Sequence, residues 1–376
     1  MKNLILGLIL GLFIFSCQKK SNLKTIDTAS DQYSSSVKYA KGFDLLHYKG
    51  YKKLIIKSPY PDAEDQQEII LIDKMNLDGA SQNGLPVPLQ RLVVTSTTHV
   101  PMLEILGAEE ALIGFPNTDY ISSEKTRKRI EEGLVTDLGN AQDFNTEVLL
   151  SLQPDALIAF SMVSGSNMYQ TIEKNGIPVI YNGDWLEETP LGRAEWIKFF
   201  GALLDKNTQA DSIFSEIENS YLEAKSVALK AAEQPTIMSG VLYKDQWNMP
   251  AGESFTAQLY KDANTEYLWK DSKGQGSLVL GLEAVLEKAE KADFWIGSGY
   301  YTSLEELNKA NSHYQKFESF SKGNIYSFSN RRSENGGVEY FETGPLYPHI
   351  VLKDLVKVTH PELLPGYQPY YLQKLD

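Results

Sequence analysis

The sequence predicts an α/β protein of two lobes, each built on a parallel sheet, that are joined by one long helical segment. Short apolar runs alternate with stretches of helical spacing both before residue 191 and after residue 232. Strands separated by helices imply parallel pairing, because a crossover connection is needed to bring the next strand alongside. Residues 191–232 contain no proline and repeat apolar side chains at helical spacing, which predicts the joining helix.

Length and composition place the chain among folded globular proteins. It has 376 residues, of which 42% are hydrophobic, 11% aromatic and 23% charged. This composition is too apolar for a disordered chain, and the length allows two domains. The 49 acidic and 36 basic residues give a net charge of -13, which disfavours nucleic acid and anionic lipid surfaces as partners. A single cysteine excludes a disulfide framework.

The N-terminus has the pattern of a secretory signal. Lys2 precedes an apolar run, residues 4–15, of about a dozen residues, whereas a membrane-spanning helix needs roughly 20. Cys17, the only cysteine of the chain, follows Ser16 at the end of this run. The arrangement resembles the lipobox of bacterial lipoproteins, in which the cysteine becomes the lipidated N-terminus. We expect residues 1–16 to be a signal peptide and Cys17 to carry the lipid; the alternative is a buried free cysteine.

Two short regions precede the first lobe. Residues 17–36 are rich in Ser, Lys, Thr, Asp and Gln, which predicts a flexible tether. Residues 37–90 hold short β-rich runs between turn signals, which predicts a small antiparallel addition of unassigned function. Gln18, Lys19 and Lys20, directly after Cys17, include no acidic residue, so the acidic signal that some bacteria use to export lipoproteins to the surface is missing. The periplasmic side of a membrane is therefore favoured.

The first lobe is expected over residues 91–190. Its strands are predicted at residues 92–94, 111–113, 156–160 and 178–180. Its helices are predicted at residues 100–106, 147–152 and 167–175. The first and third helices should end at Gly107 and Gly176, because glycine readily takes the left-handed conformation that ends a helix.

The joining helix and the second lobe account for the rest of the chain. The helix is expected over residues 191–232, with a bend near Asp205 and a cap from Thr208. The second lobe follows over residues 233–376. Its strands are predicted at residues 237–243, 294–296 and 325–327, and its helices at residues 255–262, 283–288 and 346–358.

An internal echo relates the two lobes. Each has an acid-led short helix followed by an Asp-led apolar strand, with Glu147 and Asp155 in the first lobe and Glu283 and Asp293 in the second. The spacings differ, which indicates a repeat of architecture rather than a tandem sequence repeat.

Motifs of covalent chemistry are missing from the sequence. It contains no G-x-S-x-G, no G-x-x-x-x-G-K-[ST] and no H-E-x-x-H. Its five histidines are dispersed, so we expect no dedicated metal site and no resident cofactor. These observations favour a binding protein over an enzyme.

Ligands of open α/β sheets bind at the carboxyl ends of the strands. The loops there are rich in hydroxyl, aromatic and arginine side chains, which suit a large, oxygenated, anionic ligand. The candidate ligand-binding residues are Thr97, His99, Trp185, Tyr243, Trp247, Tyr300, Arg331 and Arg332. Some of them have structural alternatives: His99 as a helix cap, Trp247 as a packed core aromatic. The two arginines can equally form a solvated salt-bridge surface with Glu334 and Glu339.

From Arg91 to its C-terminus the chain resembles the helical-backbone substrate-binding proteins of ABC importers, which deliver ferric siderophores, haem and vitamin B12. The resemblance rests on the long helix and on LGA at 106–108, IG at 113–114, LLSLQPDALI at 149–158 and NGIPV at 175–179. It implies two Rossmann-like lobes joined by a rigid backbone helix that permits modest closure. It also implies that one glutamate on each lobe docks to arginines of the membrane permease, and the matching positions are Glu147 and Glu283. The alternative is that the helix dipole alone favours both acids.

The resemblance and the residues together favour a lipid-anchored binding protein that captures an iron complex in the interlobe cleft and delivers it to an ABC permease and its ATPase. A ferric siderophore is favoured over haem and cobalamin. We expect a monomer in the cell envelope. An envelope hydrolase or other enzyme on the same frame is the alternative that a Ser/His pair or clustered buried carboxylates in the cleft would favour. A structural or sensory lipoprotein is the alternative that a filled cleft would favour.

Overall fold

The computed structural model describes residues 34–76, 84–162 and 166–376. The predicted signal peptide, Cys17 and most of the predicted tether lie outside these residues. None of the helices in the described ranges combines the length and the apolar character that crossing a membrane requires.

A five-stranded sheet precedes the first lobe. Its strands, in their order across the sheet, are Ser34–Ser35 (β1), Phe43–Tyr48 (β2), Tyr51–Ile56 (β3), Gln67–Asp73 (β4) and Leu85–Val87 (β5). The first four pair antiparallel, as predicted, but β5 lies parallel to β4. The sheet already begins at Ser34, inside the segment predicted as a tether, because Ser34 and Ser35 pair with His47 and Leu46.

Two buried carboxylates hold this N-terminal sheet against the helices that join the lobes. Glu195 accepts hydrogen bonds from the backbone amides of residues 38–40. Glu187 accepts from the amides of residues 41 and 42. Apolar contact reinforces the attachment, since the ring centroids of Phe43 and Trp196 lie 4.5 Å apart. The addition is therefore an integral part of the folded protein.

The first lobe is a parallel sheet in the order β10-β9-β6-β7-β8. Its strands are Leu92–Val94 (β6), Leu112–Phe115 (β7), Thr136–Asp137 (β8), Ala156–Ala159 (β9) and Val179–Tyr181 (β10). Its helices are His99–Ile105 (α1), Glu124–Glu131 (α2), Thr146–Leu152 (α3) and Asn167–Lys174 (α4). Every predicted element is present, and Gly107 and Gly176 after α1 and α4 have φ angles of 59° and 84°. The sequence analysis missed β8, which is only two residues long, and α2, whose single large apolar residue is Ile130.

Three helices, rather than one, join the lobes: Pro190–Glu195 (α5), Ile197–Leu203 (α6) and Asn207–Ala228 (α7). Asp205 lies between α6 and α7 with a φ of 54°, which confirms the predicted bend. The predicted cap from Thr208 is wrong, because α7 begins one residue earlier and its N-cap is Lys206, without a side-chain hydrogen bond. The buried faces of α5 and α6 pack against the N-terminal sheet and α7, so the joining region is segmented but well supported.

The second lobe contains a larger sheet in the order β14-β11-β16-β17-β18 and a smaller one in the order β12-β13-β15. Their strands are Thr236–Ser239 (β11), Val241–Tyr243 (β12), Gln246–Pro250 (β13), Glu266–Tyr267 (β14), Ser277–Leu280 (β15), Phe294–Ile296 (β16), Ile325–Ser327 (β17) and Gln373–Lys374 (β18). The helices are Phe255–Asp262 (α8), Leu282–Ala289 (α9), Leu304–Ala310 (α10), Glu318–Ser321 (α11), Glu339–Thr343 (α12) and Pro348–Thr359 (α13). All pairings in the larger sheet are parallel except that of β18 with β17.

The predicted strand at 237–243 is two strands, because Gly240 redirects the chain. Its φ is 82°, and a Cβ at this position would lie 2.0 Å from the carbonyl oxygen of Asn248. Only glycine fits there. The chain therefore leaves the larger sheet after β11 and enters the smaller sheet as β12.

The internal echo has a structural reason. Asp155 Oδ2 accepts hydrogen bonds from the amides of Gln90 and Arg91, just before β6. In the second lobe, Asp293 Oδ2 accepts from the amide and the hydroxyl of Thr236, the first residue of β11. Each aspartate thus holds the beginning of the strand that lies beside its own. The helix before each aspartate, α3 or α9, consequently occupies an equivalent place in the two lobes.

Candidate ligand-binding site

Hydrogen bonds between loops of the two lobes mark one end of the interlobe cleft. Glu342 of α12 accepts from the backbone amides of Ser122 and Ser123, at 2.6 and 3.1 Å. Beside it, Asn335 Nδ2 donates to Asp119 Oδ1 at 2.7 Å. In the first lobe, all of these contacts follow β7.

A separate contact marks the opposite end of the cleft. Gln275 Nε2 of the second lobe donates to Glu188 Oε1, at 2.5 Å. Glu188 follows β10, and β9 and β6 lie between β10 and β7 in the sheet. The loops after β9 and β6 therefore lie between the two contacts, and the cleft runs along the carboxyl ends of the strands, as expected for this class of sheet.

Large apolar side chains are exposed beside this cleft, on loops and on one short helix. They are Tyr120 after β7, Met162 after β9, Tyr300 after β16 and Phe341 in α12, with exposed fractions of 61%, 58%, 65% and 48%. The rings of Tyr300 and Phe341 contact each other, with centroids 5.9 Å apart. Tyr300 and Phe341 thus form a contiguous exposed apolar surface, which is typical of a place where a ligand or partner binds.

The structure places three predicted ligand-binding residues on cleft loops. Thr97 is half-buried in the loop after β6, and Trp185 is half-buried after β10, where it packs on Phe160 with ring centroids 5.3 Å apart. Tyr300 is exposed after β16. Tyr243 is also 65% exposed, but it lies at the end of β12 in the smaller sheet, beside Lys244. Direct contact of these four residues with a ligand remains a prediction.

Two predicted ligand-binding residues are core residues instead. Trp247 has no exposed surface; its Nε1 donates to the carbonyl of Ser239, and its ring packs against Trp295. His99 also has no exposed surface and packs against Phe200, and burial lowers its pKa. It begins α1, whose N-cap is Thr98. Neither side chain reaches the cleft, so the prediction that Trp247 and His99 bind the ligand is wrong, and Trp247 is the packed core aromatic of the alternative.

The two predicted arginines have different environments. Arg331 Nε donates to Glu339 Oε2 at 2.7 Å, a pairing that raises the pKa of Arg331. This ion pair supports the salt-bridge alternative for Arg331. The guanidinium of Arg331 also lies over the ring of Tyr370. Arg332 donates to the carbonyls of Ser329 and Tyr300, both at 2.5 Å, and so ties together the loops after β16 and β17. Its exposed guanidinium positions Tyr300 at the cleft.

The sequence analysis missed Phe341, Met162, Tyr120 and Arg193, which also lie at the cleft or its base. Arg193 belongs to the joining segment, where helical spacing indicated only a packed core. Phe341 lies in a stretch without strong periodicity. The adjacent aromatic residues Tyr340 and Phe341, after the turn signal Gly336-Gly337, were the available signal.

Glu147 and Glu283 are exposed in the first turns of α3 and α9, at equivalent places in the two lobes. The described residues include no group of three or more His, Cys, Asp or Glu side chains that could hold a metal ion.

The Glu342 contact should make stability depend on pH. Burial raises the pKa of Glu342 from its ordinary 4.5 to about 7, and Glu104 acts in the same direction, while the amides of Ser122 and Ser123 oppose the shift. The folded state therefore holds this proton more tightly than the unfolded state. The resulting stabilisation is full below pH 4.5 and is lost as the pH rises through about 7.

Glu342→Gln removes this titration. The free energy of unfolding of the variant minus that of the wild type should therefore increase by about 1–3 kcal/mol from pH 5 to pH 8, because only the wild type loses the contribution of Glu342. Urea unfolding of both proteins across this pH range measures the difference. The contributions of the other titrating groups are the same in both proteins and therefore cancel. Glu334→Gln, an exposed acid nearby, should show no such trend. A difference for Glu342→Gln that is independent of pH would contradict the prediction.

Sequence comparison finds curated relatives that align with most of this chain. Among curated relatives, an uncharacterized lipoprotein of Methanocaldococcus jannaschii is 25% identical over 367 residues, which cover 90% of this chain and 85% of the relative. A second uncharacterized lipoprotein of that organism is 24% identical over 295 residues, which cover 75% of this chain and 72% of the relative.

Solved structures share the fold. A possible iron-binding (periplasmic solute-binding) protein from Staphylococcus epidermidis superposes with a TM-score of 0.56 at 17% identity, covering 73% of this chain and 100% of the other. The periplasmic heme binding protein HutB of Vibrio cholerae has a TM-score of 0.55 at 14% identity, covering 70% of this chain and 99% of the other.

The family described as periplasmic binding protein matches residues 92–331, which include the first lobe, the joining helices and most of the second lobe. The N-terminal sheet lies outside this match. The resemblance inferred from the sequence is thereby confirmed, and the chain belongs to the periplasmic binding protein family.

Proposed function

We propose that this protein is the substrate-binding component of an ABC importer and that it captures an iron complex in the interlobe cleft. A ferric siderophore is the favoured ligand, ahead of haem and cobalamin. The observation that carries the proposal is the open cleft with exposed aromatic side chains, Tyr300 and Phe341 above all, at the carboxyl ends of the strands. Such rings suit a large planar or oxygenated ligand.

The comparisons support the class of ligand. The similar structures carry the descriptions iron-binding and heme binding, and the family is one of periplasmic binding proteins. Lipid anchoring through Cys17 belongs to the proposal and is supported by the lipoprotein names of two relatives. The proposal further includes location on the periplasmic side of the cell envelope, a monomeric state and docking to the permease and its ATPase through Glu147 and Glu283.

A binding role is favoured over the hydrolase alternative by the state of the acidic and basic groups near the cleft. The buried carboxylates of Glu187, Glu195 and Glu342 are occupied by backbone amides. His99, which lies close to Asp184, is buried beneath its loop, where a substrate would not reach it. The exposed aromatic side chains at the cleft likewise disfavour a purely structural lipoprotein.

The first test is ligand binding by the full chain in detergent. Tryptophan fluorescence should be quenched saturably, at micromolar or lower concentration, by one class among ferric siderophores, haem and cobalamin. Phe341→Ala should weaken that binding about fivefold to tenfold, because one aromatic contact is lost. Leu222→Ala, a similarly exposed apolar residue on α7, is the control and should bind normally. If no ligand class saturates while circular dichroism shows folded protein, the proposed ligand is wrong.

A further inference from the structure

A cavity of about 360 Å³ lies at the base of the cleft, where both lobes meet the joining helices. Thr98 contributes from the first lobe, Arg193 from α5, and Phe255, Tyr340 and Phe341 from the second lobe. The remaining lining residues are mostly proline and aliphatic side chains, and Arg193 is the only charged residue among them. The cavity is thus an apolar pocket with one cationic group in its wall.

The guanidinium of Arg193 is held in place by neutral groups. Nη2 donates to the carbonyl of Trp185 at 2.6 Å, and Nε donates to the carbonyl of Glu187 at 3.4 Å. On one face the guanidinium lies 3.6 Å from the ring centroid of Phe255. These contacts fix its orientation, and none of them neutralises its charge.

Arg193 lacks an ion-pair partner within the part of the chain that the structure describes, where no carboxylate oxygen comes within 4.0 Å of its nitrogens. Nη1 makes no hydrogen bond to the described residues, and it is not among their fully buried polar atoms without a partner, so it keeps some accessible surface. Burial lowers the pKa of Arg193, and the more distant carboxylate of Asp184 opposes this shift. Arg193 is half-buried, and a charge that has lost part of its hydration is ordinarily paired, because the lost hydration is otherwise not replaced.

The neighbouring carboxylates already have donors of their own. Asp184 Oδ2 accepts from the Thr98 hydroxyl at 2.8 Å, while its buried Oδ1 has no hydrogen-bond partner among the described residues. Glu187 accepts from the amide of Gly42 and from Trp196 Nε1. Nη1 of Arg193 is therefore available to a ligand in this pocket.

We propose that the pocket is a subsite for a carboxylate carried on an apolar group. Arg193 Nη1 donates to the carboxylate, and the rings of Phe255, Tyr340 and Phe341 enclose the apolar part. The walls come mainly from α5 and the second lobe, and Thr98 is the contribution of the first lobe. The carboxylate belongs either to the iron complex or to a separate organic acid. The first of these cases rests on the proposed function.

Benzoate is the probe, and it contains no metal. Calorimetric titration of the full chain in detergent, up to about 10 mM ligand, should show saturable binding of benzoate and at least about tenfold weaker binding of benzyl alcohol, which lacks the charge. Arg193→Gln should reduce benzoate affinity at least about tenfold. Detergent micelles without protein provide the blank.

A second variant keeps the test independent of the bonds that Arg193 makes to the backbone. Thr256 is a half-buried lining residue, and Thr256→Phe fills the pocket without removing those bonds. It should abolish benzoate binding, whereas Thr208→Phe on the exposed face of α7 should not affect it. No binding of benzoate to the folded wild type, or binding that both pocket variants retain, overturns the proposal.

Competition identifies the source of the carboxylate. If benzoate raises the concentration of iron complex needed for half-maximal quenching, the subsite takes an arm of that ligand. If both bind without competition, it takes a separate acid. A chain that binds benzoate but none of the metal complexes would retain the subsite and lose the proposed function, so the two failures are distinguishable.

Discussion

Replacing Glu147 and Glu283 together by glutamine should abolish uptake of the ligand by cells while leaving its capture by the purified protein unchanged. Both carboxylates are exposed in the first turn of a helix, and α3 and α9 occupy equivalent places in the two lobes. They are thus available to two equivalent cationic partners. Each charge-assisted hydrogen bond is worth about 1.5–3 kcal/mol, so losing both should weaken docking about a hundredfold or more.

Uptake of labelled ligand and affinity for the permease in lipid nanodiscs measure this effect. The matched control replaces Glu131 and Glu287, exposed acids of α2 and α9, by glutamine. This pair has the same change in net charge and should transport normally. Normal uptake by the Glu147 and Glu283 double variant would mean that the acids serve only the dipoles of their helices, the alternative that the sequence left open.

The lobes were predictable because their elements carry local signals. Strands such as β6 and β9 are buried on both faces and appear as continuous apolar runs, while glycines in the left-handed conformation end α1 and α4. The division of 237–243 into two strands depends on the approach of the Asn248 carbonyl to Gly240. No local pattern contains such a contact.

The binding residues were less predictable, because position in a loop does not determine which way a side chain points. Trp247 and Tyr300 are both aromatic and were both predicted at the cleft, yet Trp247 lies within β13 and is fully buried, whereas Tyr300 follows β16 and is 65% exposed. Arg193 lay in a segment whose spacing indicated a packed helix, and its importance depends on Phe255, which is distant in sequence, and on the carbonyl of the nearby Trp185. Tertiary contacts decide these cases.

The attachment of the N-terminal sheet is a second feature that depends on long-range contacts, with Glu195 at its centre. This carboxylate has no exposed surface. It accepts hydrogen bonds from the backbone amides of residues 38–40 and from Lys198 Nζ at 3.0 Å. The side chain of Lys198 is only 10% exposed. The segment from 38 to 40 therefore depends on one buried acid, which itself balances one buried cation.

Glu195→Gln should lower the free energy of unfolding by about 3–5 kcal/mol, the usual cost of leaving one member of a buried ion pair alone. Glutamine has one acceptor oxygen instead of two, and its amide group would direct hydrogens towards backbone donors. Asp211, at 3.5 Å from Lys198 Nζ, is partly exposed and compensates only in part. Urea unfolding of the full chain measures the loss, and the exposed Glu216→Gln on α7 is the control. Amide hydrogen exchange at residues 38–40 should accelerate in the Glu195 variant alone. If the free energy of unfolding falls by less than about 1 kcal/mol and exchange is unchanged, the prediction is wrong. Apolar contacts such as that of Phe43 with Trp196 would then suffice to hold the sheet.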